Sequence, residues 1–183
     1  MHPRNHCLGT KKGEQVIMVD SRNMTLENAT IIFKHFSGDK FSNNLPTFCV
    51  RLDEQLASEF RDAGWPVKAW VSDKNSIPDQ EPTHFIKLKV NFREGRDGLT
   101  PKIVSKDNIT GKKTRYDATN IHRLDDLNIS RAVVDIFRGW SEQYQCNYIG
   151  LNRLYLEIDS DELDRLMDMD DDDSWLKEDA NAL

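Results

Sequence analysis

The chain has 183 residues, of which 38% are hydrophobic and 31% are charged. This length suits one domain of ordinary size with some solvated chain and excludes two full domains with separate cores. No run approaches the 18 consecutive apolar residues that a membrane-spanning helix needs, and the N-terminus lacks the apolar core and small residues of a signal peptide. We therefore expect a cytoplasmic protein without a membrane partner.

Charge is distributed unevenly along the chain. The formal net charge is −6, which as an average argues against a nucleic-acid partner because phosphates attract lysine and arginine. Residues 157–183, however, hold 12 acidic residues and 2 basic ones, while the first 156 residues carry a net charge of +4. This asymmetry indicates a body that binds a polyanion and a tail that competes with it. A solubilising acidic tail on an ordinary domain is the alternative that composition leaves open.

The sequence contains no pattern typical of a catalytic or metal centre. The three cysteines, Cys7, Cys49 and Cys146, have no CxxC spacing and specify neither a disulfide framework nor a zinc site, so we interpret Cys49 and Cys146 as buried thiols. There is no phosphate-binding glycine loop, nucleophile elbow or His-Glu zinc helix. We therefore expect no enzymatic activity, no cofactor and no metal, with a metal-dependent nuclease as a minor hypothesis.

The N-terminal third predicts an arm followed by strands. Residues 1–28 lack sustained periodicity, which predicts a flexible arm with a short strand near Val16. Residues 30–36 are β-branched and aromatic, and residues 47–52 repeat this character after a turn. The pattern predicts two strands, or one strand interrupted by a loop.

A helix follows these strands. Asp53 is a suitable N-cap, apolar residues recur at helical spacing over 54–63, and Gly64 provides the stop. Residues 65–71 then alternate in a way that favours a further strand, with Pro66 near its start, where a lost backbone donor is tolerated.

Residues 84–92 form the clearest strand of the sequence. Strand side chains alternate between two faces, so every second residue, beginning at Ile86, is apolar and points to the core. The opposite face carries Phe85, Lys87 and Lys89, an aromatic ring beside two ammonium groups. This combination suits a single-stranded polynucleotide better than it suits plain solvent.

The remaining pattern predicts several more short strands. Strand-like runs occur at 102–104, 112–116, 130–140 and 148–158, and residues 119–127 include a short helical turn. Six or seven short strands with one clear helix predict an all-β fold with a small helical insertion, which is typical of an OB-fold-like barrel of five to seven strands.

Beyond residue 159 the chain turns polar, so we predict a domain over 29–159 followed by a disordered acidic tail over 160–183. Four successive aspartates repel one another and cannot bury a core. An apolar pair follows them after one serine, and we interpret the group as a protein-docking segment made of Asp170, Asp171, Asp172, Asp173, Trp175 and Leu176.

Five segments occur in an order and spacing that point to a known family: 33–41 (FKHFSGDKF), 48–68 (FCVRLDEQLASEFRDAGWPVK), 84–92 (HFIKLKVNF), 101–104 (PKIV) and 155–158 (YLEI). Over residues 29–173 the chain resembles the single-stranded DNA-binding proteins of tailed bacteriophages, small OB-fold proteins with acidic C-terminal tails. The resemblance implies non-sequence-specific binding of single-stranded DNA (ssDNA) during phage DNA replication or recombination, in the host cytoplasm. It also implies a tail that competes with DNA and contacts a polymerase, helicase or recombinase. Related tails commonly end in an aromatic residue, whereas here seven residues follow Leu176.

An OB barrel binds a single strand by tracking the backbone with a basic groove while aromatic rings stack on bases. We expect the DNA-binding residues to be Phe85, Lys87, Lys89, Trp70, Lys68, Arg93, Arg96, Lys112, Lys113, Arg115, Tyr116, Arg138 and Trp140. For Trp70, Tyr116 and Trp140, packing in the core or at the barrel end is an equally open alternative. The competing class is a protein interaction or assembly module with a solubilising tail, and a homodimer stays open.

Overall fold

The computed structural model of the chain describes residues 17–19, 22–71, 81–93 and 99–160. Nine strands and one α-helix form in these residues, so the predicted all-β class with a small helical insertion is confirmed. The helix is α1 (Glu54–Asp62), and the strands are β1 (Ile17–Val19), β2 (Asn23–Asp39), β3 (Leu45–Leu52), β4 (Lys68–Trp70), β5 (Thr83–Lys89), β6 (Lys102–Asp107), β7 (Lys113–Tyr116), β8 (Ile129–Ser141) and β9 (Cys146–Ile158).

These strands form one sheet in the order β4-β5-β3-β2-β8-β9-β6-β7, with β1 paired to β2 off this path. Neighbours are antiparallel except β6 and β9, which run parallel. Within the described ranges the order ends at β4 and β7, so the sheet is not closed and the predicted five- to seven-stranded barrel is replaced by a larger, open sheet. Both end strands are short, with three and four residues, and offer few backbone groups to a closing ladder.

The hydrophobic core lies on the inner face of this sheet. Ala132, Val134 and Ile136 of β8 are fully buried, and so are Ile86 and Leu88 of β5. Both sets follow the two-residue period of a strand with one buried face. The inward positions that the sequence predicts for these two strands are therefore confirmed.

Helix α1 begins and ends where the sequence indicates. The Oδ1 atom of Asp53 accepts a hydrogen bond from the backbone N–H of Leu56 at 2.7 Å, which is the N-cap contact. Gly64 has a φ of +79°, in the left-handed region that glycine adopts without strain. Leu56 and Phe60 are buried, and the Phe60 ring packs 5.4 Å from that of Trp65. The helix thus packs its apolar side against the core.

Part of the predicted flexible arm belongs to the sheet. Strand β1 lies next to Val16, where the sequence predicts a short strand, but the first six residues of β2 also lie within 1–28, where no second strand is predicted. Met24 and Leu26 are buried and pair with Ile136 and Val134 of β8. The expectation is wrong for these residues because two apolar positions give too short a periodic signal, while pairing with a distant strand stabilises the segment.

Candidate nucleic-acid interface

A β-bulge in β2 turns one phenylalanine toward the outer face of the sheet. Ile32 pairs with Cys49 of β3, but the next pair is His35 with Thr47, so β2 contains one extra residue. Phe33 lies in this bulge with a φ of +49°, and its side chain is 43% exposed. The bulge therefore places an aromatic ring outside the core in the middle of an otherwise apolar run.

Phe33 contacts two further aromatic rings on the outer face. Its ring centroid lies 5.7 Å from that of Trp70 on β4 and 5.7 Å from that of Phe85 on β5, both in edge-to-face geometry. Trp70 is 47% exposed, and Phe85 is half-buried. Three rings from three strands thus form one partly exposed cluster.

Three basic residues border this cluster. Arg51 of β3 and Lys68 of β4 both pair with Phe85, one from each side, and Lys89 lies four residues further along β5 on the same face. All three are exposed, and none makes a side-chain hydrogen bond or ion pair with another described residue. We call this set the aromatic–basic face, and its members are Phe33, Arg51, Lys68, Trp70, Phe85 and Lys89.

Lys87 lies on the same side of β5 but is held by an acidic residue. Its Nζ atom lies 2.6 Å from Oδ2 of Asp39 at the end of β2, with side-chain exposures of 24% for the lysine and 12% for the aspartate. Asp39 also accepts hydrogen bonds from the backbone N–H of Phe41 at 2.9 Å and from the Ser42 hydroxyl at 3.2 Å. The bond from Lys87, followed by that from Phe41, lowers the pKa of Asp39 to about 2.

A cleft of about 580 Å³ lies beside the aromatic–basic face. Its lining includes Arg51, which belongs to the face, and Thr83, which does not. Its lining also includes three carboxylates, those of Asp53, Glu54 and Glu81. The cleft therefore carries negative charge beside a face whose charged members are all cations.

The basic residues near β7 lie at the opposite end of the sheet order from β4. Lys112, Lys113 and Arg115 are exposed there. Tyr116 is buried, and its hydroxyl lies 3.0 Å from that of Ser105. Its ring is therefore part of the core and is not available for stacking, which corrects its expected role as a DNA-binding residue.

Arg138 connects the β8–β9 hairpin to the end of α1. Its guanidinium donates a hydrogen bond to the carbonyl of Ala63 and lies 5.9 Å from the centroid of the Trp65 ring. On the paired strand, Asn147 donates to the carbonyl of Gly64 at 2.8 Å. Arg138 therefore has structural partners in this fold, and the DNA contact that the sequence predicts for it stays a prediction.

The same hairpin carries a second group of aromatic residues. The rings of Phe137 and Tyr148 lie 6.1 Å apart in edge-to-face geometry. Each ring lies on a glycine of the neighbouring strand, Tyr148 on Gly139 and Phe137 on Gly150, and leaves no space for a Cβ atom there. Trp140 follows on the other face of the hairpin and is 53% exposed. We call Phe137, Trp140 and Tyr148 the hairpin aromatic group.

The remaining predicted site residues lie near or beyond the limits of the described residues. Arg93 is exposed after β5, and its backbone N–H and carbonyl both bond to the Thr100 hydroxyl at 3.1 Å. Arg96 lies outside the described residues. So does the whole predicted docking segment, which stays a prediction: Asp170, Asp171, Asp172, Asp173, Trp175 and Leu176.

Two members of the aromatic–basic face, Phe33 and Arg51, are missing from the sequence-based candidates. Arg51 has a recognisable signal, since it alternates with the buried Val50 and Leu52 in β3 and the argument used for β5 applies to it equally. Phe33 has no such signal in the sequence. In a regular strand its side chain would point to the core, and only the bulge turns it to the outer face.

The two described cysteines differ in their exposure. Cys49 is buried, as predicted, and burial raises its pKa to about 11, which keeps the thiol protonated. Cys146 is exposed at the end of the hairpin, so its interpretation as a buried thiol is wrong. In the part of the chain that the structure describes, no group of three His, Cys, Asp or Glu residues could hold a metal ion, and no helix is long and apolar enough to cross a membrane.

Exposed rings bordered by basic side chains are the surface chemistry of proteins that bind single strands, because every base offers a π-face for stacking. The model of the phage ssDNA-binding domain family matches residues 13–165, and the chain belongs to this family. The resemblance stated from the sequence is thereby confirmed. Residues 166–183 lie outside the match. No curated protein matches the chain.

Two solved structures align with most of the chain at low identity. One is the C-terminally truncated single-stranded DNA-binding protein from bacteriophage Enc34, with a TM-score of 0.46, 8% identity, and coverage of 84% of this chain and 95% of that one. The other is the Enc34 protein in complex with ssDNA, with a TM-score of 0.47, 8% identity, and coverage of 87% and 98%. This likeness is too distant to carry an argument about residues of this chain.

Proposed function

We propose that the protein binds ssDNA without sequence specificity in phage DNA replication or recombination, and that the aromatic–basic face is its binding site. Family membership supports the class of ligand. The observation that carries the site is the contact of Phe33 with both Trp70 and Phe85 on the outer face, beside Arg51 and Lys68.

The rings provide affinity that tolerates any base. Base–aromatic stacking contributes roughly 1 to 3 kcal/mol per base by alanine substitution and needs no base-specific hydrogen bond. Edge-to-face contacts between Phe33 and its two neighbours fix the ring orientations before DNA arrives. Less conformational entropy is then lost on binding.

The cations provide the contacts to the phosphates. Arg51, Lys68 and Lys89 extend over three strands on the outer face, as required to follow a backbone across the sheet. A lysine or arginine that neutralises a phosphate releases condensed counterions, and each such contact adds a salt slope of about −0.7 for single strands. We therefore propose binding that weakens steeply as salt rises.

A titration with fluorescently labelled oligonucleotides tests this function. The proposal predicts that the protein binds single strands of mixed, pyrimidine and purine composition with similar affinity, and binds the matching duplex more weakly. Equal failure to bind either form, in a folded protein, would favour the competing class, a protein interaction or assembly module.

We further propose that the acidic tail competes with DNA for the aromatic–basic face and recruits replication proteins. The charge asymmetry of the chain supports this, since a tethered polyanion reaches the basic face at high effective concentration. Deleting residues 160–183 is then expected to tighten ssDNA binding at low salt and to weaken discrimination against other polyanions. An affinity that stays unchanged after the deletion would contradict the competition.

A further inference from the structure

We infer that Asp39 occupies the place of a phosphate on the aromatic–basic face, so that Lys87 is withheld from ssDNA and the fold contains a competitor of its own. This inference rests on the proposed function. It concerns a residue within the folded domain and is independent of the acidic tail.

Asp39 caps a short helical turn and at the same time binds a lysine from another strand. Its carboxylate accepts three hydrogen bonds, from Lys87 Nζ at 2.6 Å, the Phe41 N–H at 2.9 Å and the Ser42 hydroxyl at 3.2 Å. The last two are the N-cap contacts of the 3-10 turn Lys40–Ser42, and they hold the carboxylate in place. A phosphate oxygen accepts the same kind of charged hydrogen bond from an ammonium. The donor that Asp39 withholds from a phosphate is therefore the Lys87 ammonium.

The pair lies on the path that a strand would take across the face. Lys87 is two residues from both Phe85 and Lys89 and points to the same side of β5. At the other end, Asp39 is followed by Phe41, which is 84% exposed with Lys40 Nζ 5.0 Å from its ring centroid. A strand that follows β5 from Phe85 to Lys89 therefore passes Lys87 and the carboxylate bound to it.

Asp39 carries its charge at the pH of DNA binding, and the pair is partly protected from salt. With a pKa of about 2, Asp39 stays ionised throughout neutral and mildly acidic pH. Both side chains are largely shielded from solvent, so salt screens their attraction less than it screens an exposed pair. A phosphate would have to displace a carboxylate already bound to the lysine, and no counterion would be released at Lys87 on binding.

The salt dependence of ssDNA affinity in the full-length protein tests this inference. Asp39→Asn keeps the oxygen that accepts from the Phe41 N–H and places an amide NH2 beside the Ser42 hydroxyl, which can accept from it. The substitution removes the charge, which frees Lys87 for one phosphate. The slope of log affinity against log salt is expected to steepen by about 0.7. If the two proteins bind equally at 1 M salt, the variant then binds about fivefold more tightly than the wild type at 0.1 M salt. The matched control is Asp135→Asn, which removes the same charge and breaks the 3.0 Å ion pair with Arg153; it should leave the slope unchanged.

Two further variants keep the result interpretable. Lys87→Ala is tested in the Asp39→Asn background, because Lys87→Ala alone would leave the Asp39 carboxylate uncompensated and repelling phosphate. Adding Lys87→Ala to Asp39→Asn should return the steeper slope to the wild-type value. A double variant that keeps the steeper slope, or an Asp39→Asn variant that behaves like Asp135→Asn, would overturn the inference. A Phe85→Ala variant distinguishes failure of the proposed binding site from failure of the role of Asp39. If Phe85→Ala leaves the ssDNA affinity unchanged, the proposed site is wrong. If Phe85→Ala weakens binding but Asp39→Asn leaves the salt slope unchanged, only the role of Asp39 is refuted.

Discussion

The aromatic–basic face and the hairpin aromatic group both contain partly exposed aromatic rings, but the contacts of these rings differ. On the face, Phe33 contacts both Trp70 and Phe85 in edge-to-face geometry. The three basic members of the face make no side-chain hydrogen bond or ion pair with another described residue. On the hairpin, Phe137 and Tyr148 each cover a glycine backbone. The nearby Arg138 is bonded to the end of α1.

This difference shows that composition alone does not define a nucleic-acid interface. An aromatic ring stacks on a base only if its face is open, and a cation contributes to phosphate binding only if no protein acceptor already holds it. Trp70 and Trp140 illustrate the point, since their exposures are nearly equal and only Trp70 lies among other rings and unengaged cations. We expect the face to bind DNA and the hairpin to stabilise the fold.

The largest difference is expected between the two tryptophans. Trp70→Ala should weaken ssDNA binding by about 5- to 150-fold, the equivalent of one lost stack of roughly 1 to 3 kcal/mol. Trp140→Ala, the matched control of similar exposure, should change the affinity less than twofold. Fluorescence anisotropy with a labelled oligonucleotide measures both, and equal losses in the two variants would remove the distinction between the regions.

For stability we expect the reverse: a substitution in the hairpin lowers the free energy of unfolding but leaves ssDNA binding unchanged. Gly139→Ala places a Cβ where the Tyr148 ring lies and should lower the free energy of unfolding by about 1 to 3 kcal/mol, the usual cost of overpacking. The ssDNA affinity of the folded variant should stay the same. Urea denaturation measures the first quantity. Gly111→Ala serves as the control for steric crowding, because nothing surrounds that position, although its positive φ adds some backbone strain of its own.

The smallest expected effect is in the salt slope. Lys89→Ala removes one phosphate contact and should make the slope shallower by about 0.7. Lys113→Ala on β7, a lysine at the opposite end of the sheet order, should leave the slope unchanged. The slopes are obtained from ssDNA affinities measured between low and moderate salt. A shallower slope in Lys113→Ala would mean that the interface extends to β7.

The sequence predicts the parts of this protein that depend on local pattern. The alternation in β5 correctly places Phe85, Lys87 and Lys89 on one face, and Asp53 with Gly64 correctly marks the ends of α1, because a strand period and a helix cap are both set by neighbouring residues. The family resemblance follows from several such segments in order.

The parts that depend on distant residues could not be predicted. Phe33 faces outward only because pairing between β2 and β3 inserts a bulge, and Asp39 neutralises a lysine 48 residues away. Tyr116 and Arg138 are residue types that often bind nucleic acids. In this fold, however, the Tyr116 hydroxyl is hydrogen-bonded to Ser105, and the Arg138 guanidinium donates to the carbonyl of Ala63. Such contacts form only in the folded chain, and no repeating pattern of residues in the sequence indicates them.

Ultraviolet cross-linking of the full-length protein to a single-stranded oligonucleotide, with the attachment sites read by mass spectrometry, tests the central claim most directly. If the aromatic–basic face is the binding site, cross-links form at Phe33, Trp70 and Phe85 and are suppressed by unlabelled single strands. Cross-links confined to Trp140 and Tyr148 of the hairpin would contradict it.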